Sequence, residues 1–456
     1  MLYQDTIVAL ATPSGTGAIA VIRVSGEDAI TLTDSVFDSV RGKRLVHQKS
    51  HTIHLGHIKD GNLILDEALV SLFKAPHSYT GENVVEISCH GSPYIQQQIV
   101  QLLLRKGCRA ASAGEFTLRA FLQGKMDLSQ AEAVADLIAS DSTSAHELAL
   151  NQMRGGFSSE IEDLRQELLN FASLIELELD FSQEDVEFAD RTQFETLLNR
   201  MERVLKRLID SFALGNVLKH GIPVAIVGEP NVGKSTLLNT LLNEERAIVS
   251  DIAGTTRDTI EDQISIKGVN FRFMDTAGIR ETEDAVEKIG IERTFSKIAQ
   301  AKLIICLFEG KNYSPITLAN ISKKFPDKSL LPICNKVDVL NENQIETIKT
   351  EIPEVIFISA KRGQGIEALK KQLFELVGTG NISGDETIVS NSRHYNALLK
   401  ALEEVQKVKE GLEAGITGDL MAIDIRQALF HLGEITGKVT TDDLLGNIFS
   451  NFCIGK

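Results

Sequence analysis

The segment GEPNVGKS, Gly228 to Ser235, fits G-x-x-x-x-G-K-[ST]; it follows the apolar run VAIVG and precedes a helix-period stretch. That context dictates an α/β layer. A strand must bring the turn to the carboxyl edge of a sheet. There the backbone N–H groups of a helix N-terminus point at one anion and the helix dipole favours it. In such a loop Asn231, Val232, Gly233, Lys234, Ser235 and Thr236 line the phosphates of a nucleotide. Lys234 would neutralise the β and γ phosphates, and the Ser235 hydroxyl would ligate Mg2+.

Three further segments follow in order. DTAG (Asp275, Thr276, Ala277, Gly278) ends a strand pattern, with Asp275 near the Mg2+ and the Gly278 N–H near the γ-phosphate. NKVD (Asn335, Lys336, Val337, Asp338) closes another strand, and SAK (Ser359, Ala360, Lys361) a third. The Asp338 carboxylate can accept from N1–H and N2–H2 of guanine, donors that adenine lacks, and SAK would supply a backbone donor to guanine O6. A lone aspartate means only a turn; four segments in this order predict a guanine-specific GTPase. Two positions depart from Ras-like switches. Ile279 stands where those proteins carry the glutamine that orients the attacking water, so water must be held otherwise. Asn231 either suits the turn or lends its side-chain carbonyl to a monovalent cation beside the phosphates, and local sequence leaves both open.

Around this segment the texture changes. Up to about Ala120, short β-type runs (TIVALAT, AIAVIRVSG, ALVSLF, NVVEISCHG) and one helical pattern, YIQQQIVQLLLRKG, predict a compact α+β domain over residues 1–120. Helix-period sequence then takes over. Ile161, Leu164, Leu168, Phe171, Ile175 and Leu179 alternate steps of three and four and form one helix face. The α/β texture occupies residues 216–380, with QISIKGVNFRFMDT as a hairpin about Lys267-Gly268 and LIICLF, LLPICN and VIFISA as later strands. The acidic SQEDVEFAD is expected to be a solvated loop and GTGNISGDE a linker, after which helical sequence resumes. The economical organisation is one helical domain, residues 121–215 and 381–456, interrupted by an inserted α/β domain, since insertion works where chain ends lie close. The expected fold class is multidomain α/β: an N-terminal α+β domain and an all-α domain carrying a Ras-like insert.

Composition narrows the partners. A chain of 456 residues exceeds one core, and no run approaches the roughly 20 apolar residues of a membrane span. The first residues lack a basic region ahead of an apolar run, so a cytoplasmic location is expected. Five scattered cysteines (Cys89, Cys108, Cys306, Cys334, Cys453) without a CxxC pair argue against both disulfides and zinc. The net charge of −16 sets the chain as a whole against phosphate backbones, apart from a local basic stretch, RGKRLVHQKSHTIH. Work on RNA would therefore need a partner to share the contact. Cys453, fourth from the end, suggests a lipidated membrane switch, but Gly455 is not aliphatic and Lys456 is not a usual last residue for prenylation.

The segments DTIVALATPSGTGAIAVIRVSG, SYTGENVVEISCHGSP, GEFTLRAFLQGKMDLSQAEAVADLI, DIAGTTRD and CIGK together resemble the bacterial and organellar tRNA-modification GTPase family called MnmE or TrmE, along the whole chain. CHGSP departs from the family's usual CHGG and SAGEF from RPGEF, both beside the expected folate pocket. The resemblance implies that the N-terminal domain binds a reduced folate, 5-formyl- or methylene-tetrahydrofolate, as the one-carbon source. Arg23, Glu86, Lys125 and Lys456 stand at the matching positions, and the C-terminal tail would reach that pocket. It also implies K+ at Asn231, Ser250, Ile252 and Thr255, and Mg2+ at Ser235 and Thr256, with Ser250, Thr255 and Thr256 also facing GTP. Glu287 matches the residue that positions water in place of the missing glutamine. Glu287, Lys234 and Asp275 are thus the candidate catalytic residues. Cys453 is a further candidate, weighed against a buried structural cysteine.

The same resemblance implies a homodimer formed through the N-terminal domains, with GTPase domains meeting face to face. It implies a flavin-dependent partner of the MnmG/GidA type in a heterotetramer or larger complex. The joint product would be an aminomethyl or carboxymethylaminomethyl group on C5 of the tRNA wobble uridine. The competing expectation is a ribosome-assembly GTPase, which shares GxPNVGKS and GTTRD. That class would carry a basic RNA-binding domain where this chain has LLKALEEVQKVKEGLEAG and then CIGK.

Overall fold

The structure, a computed structural model, describes residues 5–180, 190–246, 262–274, 299–310, 321–376 and 387–455, with the backbone alone for 178–180, 243–246 and 262. The chain divides into two compact units: Met1–Ala139 with Ala149–Lys206 and Asn396–Lys456, and Ser140–Leu148 with Arg207–Tyr395.

The first unit opens with β1 (Ile7–Leu10), β2 (Ile19–Ser25), α1 (Ala29–Asp34), β3 (Phe37–Ser39), β4 (Thr52–Asp60), β5 (Leu63–Phe73), β6 (Val84–His90), α2 (Pro93–Arg105), β7 (Arg109–Ala110) and α3 (Glu115–Leu122). Among the described residues the strands form one seven-stranded sheet in the order β3-β4-β5-β6-β2-β1-β7, antiparallel except for β1 with β7. The two-residue period of a strand decides its faces. On β2, Ala20, Ile22 and Val24 join the buried core that α2 caps with Ile99, Leu102 and Leu103. Val21, Arg23 and Ser25 therefore project from the other face, where Ile7 and Ala9 of β1 pack against Phe116 of α3.

The chain continues through α4 (Leu128–Ala139), α5 (Thr143–Met153), α6 (Gly156–Asp180) and α7 (Arg191–His220) into the second unit. That unit holds β8 (Ile222–Val227), α8 (Lys234–Arg246), β9 (Asp262–Ile266), β10 (Val269–Phe273), β11 (Leu303–Glu309), β12 (Ser329–Asn335), α9 (Glu342–Glu351), β13 (Ile356–Phe357) and α10 (Ile366–Leu376). Its described strands run in the order β13-β12-β11-β8-β10-β9, parallel except for β9, which turns back onto β10. Lys267 (φ 50°) and Gly268 (φ 81°) make that hairpin, a two-residue turn needing left-handed backbone at both positions. The parallel strands are buried on both faces, as their near-continuous apolar runs require. Val224, Ile305 and Ile333 enter one core, Ala225, Ile304 and Cys306 the other. Because β8 lies between β11 and β10, the loop leaving its carboxyl end opens where the strand order reverses, the crevice in which open α/β sheets bind ligands.

Helices α11 (Ser392–Glu413), α12 (Gly418–Thr436) and α13 (Asp442–Ser450) complete the chain. Ile161, Leu164, Leu168 and Ile175 of α6 are buried as their spacing requires, and Phe171 stacks on Phe194 at 5.1 Å. The side chain of Leu179, most of SQEDVEFAD and the linker GTGNISGDE lie outside the described residues. No helix among the described residues is long and apolar enough to cross a membrane.

Candidate functional site

The phosphate loop begins at Gly228, directly after β8, and ends in the first turn of α8. Lys234 Nζ donates to the carbonyls of Gly228 and Glu229, 2.8 Å each, and burial pushes its ammonium below the usual lysine range. Ser235 and Thr236 lie exposed at the start of α8. Asn231 sits at φ 62°, a left-handed conformation that asparagine tolerates better than most residues, and its backbone carbonyl accepts from Lys336 Nζ at 3.1 Å. The turn role of Asn231 is thus visible in its backbone.

Asn335 ties the motifs together. It is 3% exposed; its Nδ2 donates to Val232 O at 2.8 Å, and its Oδ1 accepts from the Ala360 N–H at 3.0 Å. One buried amide therefore joins the phosphate loop, the end of β12 and the SAK loop. Gly233 makes this possible: at φ 98°, a Cβ there would lie 2.4 Å from Asn335 Nδ2. Asp338 follows on the same turn. The Ser359 hydroxyl, foremost, and then the Arg362 and Lys361 charges hold its carboxyl below the usual carboxylate range. Arg362 Nε lies 3.2 Å from Asp338 Oδ2. Arg362 was not foreseen from the motifs, although it directly follows SAK in sequence. Nor was Thr240 of α8, whose hydroxyl donates to Ala360 O at 2.8 Å.

A second polar cluster lies in the first unit. Arg23 on β2 and Glu86 on β6 stand directly opposite in the register, so their side chains meet on one face. Arg23 Nε and its terminal nitrogen both reach Glu86 Oε1 at 2.9 Å. The guanidinium also lies over the rings of Tyr79, 5.3 Å, and Phe116, 5.6 Å. These two rings escaped sequence reasoning, though both sit in the quoted segments. Burial is the main cause raising the Tyr79 phenol above its ordinary value, and its hydroxyl bonds that of Thr117. Lys125 does not join this pair; its ammonium donates to Pro76 O at 3.0 Å, in the loop that carries Tyr79.

The C-terminal tail does reach the cluster. Phe449 and Phe452 pack with Leu445 against Leu128 and Ala131 of α4, Ile454 pairs with Ala113, and Arg23 donates to Gly455 O at 3.1 Å. Gly455 (φ 100°) presses on β1, where a Cβ would be 2.3 Å from Leu10 O. The alternative of a buried structural Cys453 is corrected here: the residue is exposed, because its backbone faces Gly114, whose N–H it accepts at 3.4 Å, while its side chain points out. The other four cysteines are free and buried, and burial pushes the thiols of Cys89, Cys108 and Cys334 to about 11 and of Cys306 to about 12. Ser250, Ile252, Thr255, Thr256, Asp275, Thr276, Ala277, Gly278, Ile279, Glu287 and Lys456 lie outside the described residues.

Comparison with known proteins agrees with this anatomy. A family model described as the MnmE helical domain matches residues 128–453, and one described as the GTP-binding protein TrmE N-terminus matches residues 6–125. Proteins named tRNA modification GTPase MnmE are similar from end to end. That of Flavobacterium psychrophilum is 68% identical, that of Flavobacterium johnsoniae 64% and one from Bacteroides fragilis 54%, each covering 100% of both chains. Among solved structures, an Aquifex aeolicus Era bound to GDP and aluminium fluoride aligns over 40% of this chain and 65% of its own, at 28% identity and a TM-score of 0.27. With a helical-domain match over residues 128–453 and relatives alike over their full length, the chain belongs to the MnmE family.

Proposed function

We propose that the protein is a K+-activated, Mg2+-dependent GTPase. With a flavin-dependent partner of the MnmG/GidA type, it takes part in placing an aminomethyl or carboxymethylaminomethyl group on C5 of the tRNA wobble uridine. The observation that carries the GTPase half is the buried Asn335 amide, which gathers the phosphate loop, NKVD and SAK at the carboxyl end of β8. End-to-end likeness to proteins named tRNA modification GTPases supports the other half.

Each residue has a chemical task in this reading. Lys234 and the loop amides hold the phosphates, Asp338 reads the guanine edge, and Ser235 with Thr256 would hold Mg2+. Asn231, with Ser250, Ile252 and Thr255, would hold K+, whose charge supplements that of Lys234 at the reacting phosphate. Glu287 would position the water in place of a glutamine, and Asp275 would stand near the Mg2+. A carboxylate beside a guanidinium that itself lies over two aromatic rings suits a planar heterocycle whose edge both donates and accepts. Arg23 and Glu86 would therefore hold a reduced folate, which when bound supplies the one-carbon unit, and Lys125 and Lys456 join them in this reading as the positions that match the family pattern. Residues 1–120 form the folate and dimerisation domain of this scheme, 121–215 and 381–456 the helical domain, and 216–380 the GTPase domain. The net charge of −16 favours a complex in which the partner makes most of the tRNA contact.

Nucleoside mass spectrometry on tRNA from a strain lacking the gene tests this reading. The modified wobble uridine is expected to vanish, to return with wild type and to stay absent with Asn231→Ala or Asp338→Asn. An unchanged wobble uridine in the deletion strain overturns it.

A further inference from the structure

Thr240 lies outside the four nucleotide motifs, one and a half turns into α8, yet it touches one of them. Its hydroxyl has a single hydrogen and two carbonyls within reach: Thr236 O at 2.9 Å and Ala360 O at 2.8 Å. The first is the bond any helical threonine makes to the preceding turn and carries no information. The second crosses to the SAK loop, where Ala360 is 2% exposed. The first two amides of that loop are already engaged: the Ser359 N–H donates to Gln364 O at 2.9 Å and the Ala360 N–H to Asn335 Oδ1 at 3.0 Å. Of the three SAK amides, the Lys361 N–H is then the donor left to face a base. The Ala360 carbonyl and the Lys361 N–H belong to one rigid peptide plane and point in opposite directions. Whatever holds the carbonyl aims the N–H.

We infer that Thr240 is a positioning residue for guanine. By bonding Ala360 O it fixes the peptide that presents the Lys361 N–H to guanine O6, and it does so from the helix whose N-terminus holds the phosphates. Base and phosphate subsites are thereby set at a fixed separation by one helix. The inference rests on the guanine-nucleotide reading above and adds the residue that aims the O6 donor.

The test uses the full-length chain with Thr240→Val, Thr240→Ala and Thr240→Ser. Two probes are titrated: GDP, and the diphosphate of 2-aminopurine riboside, which keeps the 2-amino group but lacks O6. Thermal unfolding is recorded alongside. Losing one partly buried hydrogen bond is expected to weaken GDP by about 2- to 10-fold in the valine and alanine variants. The analogue should be nearly unaffected, so the preference for GDP falls by the same factor, and serine should restore it. An unchanged preference in both the valine and alanine variants overturns the inference, and so does a fall in unfolding temperature with equal weakening of the two probes, which is what a purely structural threonine would give. If the wild-type chain itself shows no preference for GDP over the analogue, the guanine reading has failed rather than the role of Thr240.

Discussion

Gly233 shows at the scale of one residue how little room the nucleotide site allows. Its backbone is left-handed, and Asn335, against which a Cβ would press, is bonded at both ends of its amide and cannot retreat. Gly233→Ala should therefore cost about 1–3 kcal/mol in strain or in lost Asn335 bonds. Thermal unfolding and GDP titration should both register it. Asp338 acts through chemistry rather than space. Asparagine there presents a donor where guanine also presents donors, so Asp338→Asn should weaken GDP at least about 10²-fold. The same amide suits xanthine, which carries a carbonyl where guanine has its amino group. Parallel titrations with GDP and XDP should show the preference reversing.

Helices α7 and α11 are joined in the first unit through one carboxylate. Glu202 accepts from Lys206 at 2.7 Å, Lys409 at 3.1 Å and Gln406 at 3.4 Å. These bonds, Lys206 foremost, depress its pKa from 4.5 to about 2. A carboxyl whose folded pKa is lowered adds stability above its unfolded value and loses that stability as pH falls towards its folded one. Glu202→Gln should thus lower the unfolding temperature at pH 7, and the gap from wild type should close as pH falls from 4.5 towards 2. Solvent screens this site, so the effect should stay below about 1 kcal/mol. Helix α13 has a different task. It seats the tail by burying Leu445 and Phe449, and the residues after it then pair with Ala113 and Arg23.

For the whole molecule, the face of the first sheet turned away from α2 leaves apolar side chains in water at its far edge. Ile53 is 66% exposed, and Leu55 and Leu69, which stand opposite each other on β4 and β5, are 46% exposed each. A second copy of the chain covering this patch is the occupant that the proposed homodimer supplies. Leu55→Glu or Leu69→Glu should yield a monomer by light scattering, with GDP binding unchanged because the nucleotide site lies in the other unit. A dimer that survives both substitutions would place the interface elsewhere.

Much of the site was legible in the sequence because phosphate and guanine recognition use backbone geometry and a few side chains at fixed spacing. Gly228 to Ser235, NKVD and SAK are local patterns, and the apolar period of α6 marks its buried face. The alternation of β2 likewise determined that Arg23 and Val24 face opposite ways. Other features depend on which distant segments meet. Only the sheet register sets Arg23 across from Glu86, and only the packing of α3 lays Phe116 beneath that guanidinium. Thr240 reaches Ala360 across 120 residues of chain, a distance no spacing rule spans. The sequence by itself determined the chemistry each segment can offer, since residue type and local period act over a few residues. Tertiary structure alone decided which offers meet, because cross-strand register and helix packing are set by burial over the whole chain.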